Sequence, residues 1–196
     1  MAYIHKPNSH NWYYCVEADN PILPSQVPDE LRCNWLSYSV GKLWVETYKS
    51  AEDYAGLMET TVGKWTIFPE GGNVDGLWPK LLGATATGIL EVEIKASTSY
   101  RKGKKLICVY TYDELDKEDT DRVYDALRAL NIGGWLSYKA DWMTYMGIHA
   151  STWTAAPGER PRRSKSYWNY KELIDRHNAR RNVIVDEFGR HHSLQF

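Results

Sequence analysis

The chain has 196 residues, with 24 Lys plus Arg against 25 Asp plus Glu and a formal net charge of −1. That length fits one domain, or a domain with an appendage, and the charge balance excludes whole-molecule attraction to nucleic acid or an anionic membrane. Charged residues at 25% and hydrophobic residues at 43% describe a soluble globular chain and exclude a disordered one.

Residues 1–31 read as an N-terminal arm. Pro7, Pro21, Pro24 and Pro28 interrupt any long element, because the residue before a proline is pushed toward extended backbone. WYYCV (12–16) adds a short strand. Residues 32–150 read as the main α+β domain. NWLSYSV (34–40) alternates as a strand does, and KLWVETY (42–48) reads as a second strand. Ser50 to Asp53 has the form of a helix start, with helix to about residue 58. KWTIF (64–68) is strand-like. Leu77, Trp78, Leu81, Leu82 and Thr85 share one helical face, with Asp75 as N-cap, Pro79 in the first turn and Gly88 as the stop.

LEVEIKAS (90–97) alternates cleanly and predicts a strand. A basic turn, SYRKGKK, joins it to KLICVYTY (105–112), and the two should pair as a hairpin. Asp116 caps an acidic helix over 117–130 with Val123, Ala126, Leu127 and Leu130 buried. GWLSYK (134–139) and YMGIHA (145–150) read as further strands. Residues 151–196 form a basic C-terminal extension with a helix over 170–182. The whole predicts an antiparallel sheet with helices on one face.

Several classes of site are missing. No apolar run approaches the roughly 20 residues that span a bilayer. The first residues lack the basic and apolar regions of a signal peptide. Cys15, Cys33 and Cys108 show no paired spacing, which favours reduced thiols in a cytoplasmic setting and no metal or disulfide framework. Phosphate-loop, dinucleotide, nucleophile-elbow and zinc-protease motifs are absent, so no cofactor is expected.

The aromatic residues are distinctive: 9 Trp and 14 Tyr stand against 3 Phe. An average chain has about one Trp per hundred residues. Cores are readily filled by rings and chains without a polar atom, so part of this set has another use. Charge is also unevenly spread. Residues 95–105 hold five bases and no acid, 113–125 hold seven acids and two bases, and 159–190 hold nine bases and five acids. Lys64, Lys95, Ser97 and Lys139 sit in or beside predicted strands, among Trp65, Tyr110, Tyr112, Trp135, Tyr138 and Trp142. Rings that stack on a base and cations that hold phosphate are how proteins grip a nucleotide.

The segments GKWTIF (63–68), IKAST (94–98), LICVYTYDELD (106–116) and LSYKADWMTYMGIHA (136–150) occur in an order and spacing that resemble the basophilic-leukemia-expressed protein family. The resemblance covers residues 60–150, and 34–59 more weakly. It implies a fold similar to that of the cap-binding translation initiation factor, a curved antiparallel sheet backed by helices. It also brings a label attached to that family, phosphothreonine lyase, in which a lysine removes a proton and a histidine protonates the departing phosphate. On that reading Lys95 is the base and His149 the acid.

The first reading is instead a binding protein for a phosphorylated planar ligand, a nucleotide or nucleotide-derived signal. Its binding residues are Lys64, Trp65, Lys95, Ser97, Arg101, Tyr110, Tyr112, Lys139 and Tyr145. Trp35, Trp44, Trp65 and Trp78 are candidates for gripping the base. A phosphorylated peptide on the same face is a further possible ligand, RNA held by the basic C-terminal segment is the further alternative, and no membrane partner is expected.

Overall fold

A computed structural model of the protein describes residues 3–5, 12–15, 22–31, 33–39, 62–90, 93–99 and 101–188. The strand expected over 42–48 with Trp44 and the helix expected over 50–58 lie outside the described residues.

Among the described residues nine strands form one sheet: β1 (Tyr3–His5), β2 (Trp12–Cys15), β3 (Trp35–Ser39), β4 (Gly63–Ile67), β5 (Glu93–Ser97), β6 (Ile107–Thr111), β7 (Leu136–Ala140), β8 (Trp153–Ala155) and β9 (Arg162–Arg163). Their spatial order is β1-β2-β3-β5-β6-β4-β7-β8-β9. Neighbours are antiparallel except β2 and β3, which run parallel. The helices are α1 (Val74–Ala86), α2 (Lys117–Ala129), α3 (Asp141–Tyr145) and α4 (Lys171–Phe188). The α+β class, a curved and almost wholly antiparallel sheet backed by helices, is the one the sequence predicts.

One face of the sheet makes the main core. Trp65 and Ile67 from β4, Ile94 and Ala96 from β5, Ile107 and Val109 from β6, and Leu136 and Tyr138 from β7 meet α1 and α2 there. These are alternate residues on every strand, because successive side chains point to opposite faces. The helices contribute Trp78, Leu81 and Leu82 from α1, and Val123, Tyr124 and Leu127 from α2.

Asp116 caps α2 by accepting from the Glu118 and Asp119 N–H groups. The cap of α1 is Asn73, not Asp75: its side chain accepts from the Gly76 N–H at 3.0 Å. Pro79 therefore sits in the helix interior. Asp75 instead accepts from the Ser25 N–H at 3.0 Å and ties the N-terminal segment to α1.

The strand expected over 145–150 does not form. Gly147 takes a left-handed conformation (φ 67°) that turns the chain out of extended backbone, and α3 occupies 141–145. Trp142 and Met143 of that helix join Tyr167 and Ile174 in a second core beside the end of β7. The polar stretch after residue 150, read as extension, carries β8 and β9 and continues the sheet.

Gly63 opens β4 where the Tyr138 ring crosses from β7, and a Cβ there would fall inside the phenol. The Tyr138 hydroxyl is held against the Thr111 hydroxyl at 2.6 Å, so the ring has little room to move. Gly63→Ala is expected to cost about 1–3 kcal/mol, as overpacked cores do. Urea unfolding should show a lower midpoint at unchanged slope.

Candidate ligand-binding face

The opposite face of the central strands carries the other alternate residues: Trp35 and Ser37 on β3, Glu93, Lys95 and Ser97 on β5, Cys108 and Tyr110 on β6, Lys64 and Thr66 on β4, and Ser137 and Lys139 on β7. The register puts Lys64 directly opposite Tyr110 on one side and Lys139 on the other. Lys95 lies opposite Cys108 and Ser37.

Cations and rings alternate across this face. The Arg101 guanidinium lies 4.2 Å from the centre of the Trp35 ring. Lys95 Nζ stands 4.9 Å from Trp35 and 5.0 Å from Tyr110. Lys64 Nζ follows at 5.5 Å from Tyr110. All four contacts fall within the ~6 Å over which a ring quadrupole attracts a cation. Arg101 reaches its place because Lys105 donates to the Thr98 and Arg101 carbonyls and braces the basic turn.

Lys64 and Lys95 are only 6% and 7% exposed. An ammonium so far from water needs compensation, and Lys64 receives it by donating to the buried carboxylate of Asp141, the first residue of α3. Lys139 is different. It is only partly buried, and among the described residues it has no ion-pair partner. Burial first, and the Lys64 ammonium second, hold its amine down to about 8 from an ordinary 10.5, against the pull of Asp141 and Cys108.

That shift has a sign for stability. Between about pH 8 and 10.5 the unfolded chain binds the proton and the fold does not, so this group makes the fold more stable as pH rises through that window. At pH 7 its cost is fully present, on the order of 1 kcal/mol once partial exposure is allowed for. Lys139→Met is expected to raise the melting temperature at pH 7 and to lose that advantage near pH 10.5. A melting curve series from pH 7 to 11 checks both.

Lys64, Lys95, Tyr110 and Lys139 thus share one face, and Arg101 joins them from the turn. Three strand spacings separate β5 from β7, so Lys95 is not beside Lys139. Trp65 does not belong to the face: it neighbours Lys64 in sequence, points into the core, and donates to the Thr120 carbonyl at 3.0 Å. Ser97 is buried and its hydroxyl both donates to the Leu106 carbonyl at 3.1 Å and accepts from the Leu106 N–H at 3.0 Å, which closes the hairpin. Tyr112 lies past the end of β6 and is exposed, with its N–H held by Asp119 at 2.9 Å. Tyr145 ends α3, and its side chain lies outside the described residues.

His149 is exposed in the loop over 146–150, and no described contact joins it to buried Lys95. Trp78 of α1 is a core residue, whereas Trp35 lies on the cationic face. Asp141, Cys108 and Glu93 also belong to this face and were not anticipated. Glu93 and Cys108 carried a sequence signal, their parity with Lys95 and Tyr110, and Asp141 carried none.

The basic C-terminal segment is partly neutralised within the fold. Arg160 pairs with Asp125 and, at 3.3 Å, with Asp121, both on the acidic helix α2. Among the described residues no group of His, Cys, Asp or Glu is arranged to hold a metal ion, and no helix is long and apolar enough to cross a membrane.

Fold and face together define an α+β protein in which the sheet face opposite α1 and α2 carries alternating cations and aromatic rings. The chain belongs to the Bles03 family, the basophilic leukemia-expressed protein, whose family model matches residues 35–147. That range holds Trp35, Lys64, Lys95, Arg101, Tyr110, Lys139 and Asp141. Among solved structures, one described as a complex of C. elegans eIF4E-3 with the 4E-binding protein Mextli and cap analog is similar at 15% identity and a TM-score of 0.40. The match covers 48% of this chain and 57% of that one.

Proposed function

We propose that the chain is a binding protein for a phosphorylated ligand with a planar group, held on the cation-and-ring face. The observation that carries this is Lys139, a lysine with no ion-pair partner among the described residues, set directly across from Lys64. Asp141 already answers the charge of Lys64, but a second ammonium beside that pair in a partly dry site costs free energy unless a further anion joins it. Trp35 supports the planar half of the reading: its buried indole N–H has no acceptor among the described residues, and its ring already draws two cations, Lys95 and Arg101.

Thermal shift against nucleoside mono-, di- and triphosphates and inorganic phosphate tests the reading, because a ligand that binds only the fold raises its stability. At a hundred times its dissociation constant a true ligand adds about 2.7 kcal/mol. Lys139→Ala should weaken that ligand roughly tenfold to a hundredfold, the worth of one charged hydrogen bond. If no phosphorylated compound moves the melting curve while single-stranded RNA binds with steep salt dependence, the small-ligand reading fails.

A further inference from the structure

We infer that Lys139 is a nucleophilic amine, and that the ligand class this face takes is a phosphorylated aldehyde or ketone held as a protonated imine. The inference rests on the anion-binding reading above and sharpens its substrate class. The register sets Lys139 opposite Lys64 on adjacent strands. Lys64 is buried and committed to Asp141, which fixes its position. Lys139 is the more accessible of the two and keeps its amine uncommitted among the described residues. The groups acting on it are Lys64, Asp141 and Cys108, and the resulting balance leaves about a tenth of the amine neutral at pH 7. An amine partly stripped of water beside a second cation is the arrangement that activates lysine toward carbonyl carbon.

The step balances as follows. The Nζ lone pair forms a C–N bond to the carbonyl carbon while the carbonyl π pair moves to oxygen. One amine proton transfers to that oxygen and one more is taken from solvent. Water then leaves, and the C=N bond carries one proton and a positive charge. Lys64, directly across from Lys139, is the cation that meets the phosphate and brings the carbonyl to the site.

The test uses the full chain with pyridoxal 5′-phosphate as the phosphorylated aldehyde, followed by borohydride, whose hydride fixes the imine as a secondary amine. Peptide mass spectrometry then locates the label. Label on Lys139 is expected to exceed that on exposed Lys102, Lys104 and Lys165 by about tenfold, since those amines are fully solvated while Lys139 is partly stripped of water. Its rate should fall about tenfold per unit below pH 8. Pyridoxal without phosphate should label weakly, and inorganic phosphate should protect. Lys139→Arg, which keeps the charge, should melt as a folded protein and lose the dominant label.

Label scattered over surface lysines, while inorganic phosphate still raises the melting temperature, overturns the reactive amine and leaves the anion site standing. Equal labelling of Lys139 by pyridoxal, unmoved by phosphate, overturns the phosphorylated class and the anion site with it.

Discussion

Asp141→Ala is expected to lower the unfolding free energy by about 3–5 kcal/mol, measured by urea denaturation at pH 7. The variant leaves the Lys64 ammonium in a site only 6% exposed, with Lys139 across from it and its carboxylate gone. A buried pair broken on one side costs far more than the pair was worth, because the surviving charge keeps its dehydration penalty. The double variant Lys64→Met, Asp141→Leu removes both charges and should recover most of the loss. Asp141 also anchors the start of α3, where its N–H donates to the Val62 carbonyl at 2.9 Å. That bond survives substitution, so the loss is electrostatic. A cost below about 1 kcal/mol for Asp141→Ala would mean that water reaches Lys64 as at an exposed pair.

Trp65→Ala should cost about 3–5 kcal/mol, the range for deleting a large buried ring. Trp65 has no exposed surface. Its ring lies 5.5 Å from Tyr124 and 5.1 Å from Tyr138, centre to centre, and its N–H reaches the Thr120 carbonyl on α2. It therefore joins the sheet to the acidic helix by both packing and a hydrogen bond. Trp65→Phe keeps most of the ring and loses only that bond, a smaller cost of about 1 kcal/mol. Ligand affinity should survive the Phe variant, because the residue faces away from the lysines. A tenfold loss of affinity with an unchanged melting temperature would put Trp65 back at the ligand.

Much of the fold was legible because its signals are local. The period-two run ending at Ser97, the basic turn and the ICVYT strand dictate the β5–β6 hairpin. Asp116 with acids behind it dictates the start of α2. Parity was also available at Trp65: Lys64 and Trp65 are consecutive on one strand, and consecutive side chains cannot share a face. Assigning both to the ligand set overlooked that constraint.

Other features depend on contacts far apart in sequence. Nothing near Lys64 signals that β4 inserts between β6 and β7, yet this order sets Lys64 against both Tyr110 and Lys139. Lys95 and Ser97, read as ligand-binding residues of a strand face, are buried there together with Glu93. Asp141 looks like any acid after a strand until the sheet brings Lys64, 77 residues away, to it. The apolar character of YMGIHA suggested a strand because its residues do become buried, at Ile148 and Ala150, but in a turn packed on α3.

The far rim of the sheet has a consequence of its own. β9 is two residues long, both arginines, both exposed, with Pro161 just before them. A rim strand ordinarily offers unpaired backbone groups on which another chain can add itself. Here the offer is too short to hold an incoming strand, the proline supplies no N–H, and a second copy would bring its own arginines against these. At this border, two charged residues keep a sheet rich in strand-forming aromatics from adding a further strand.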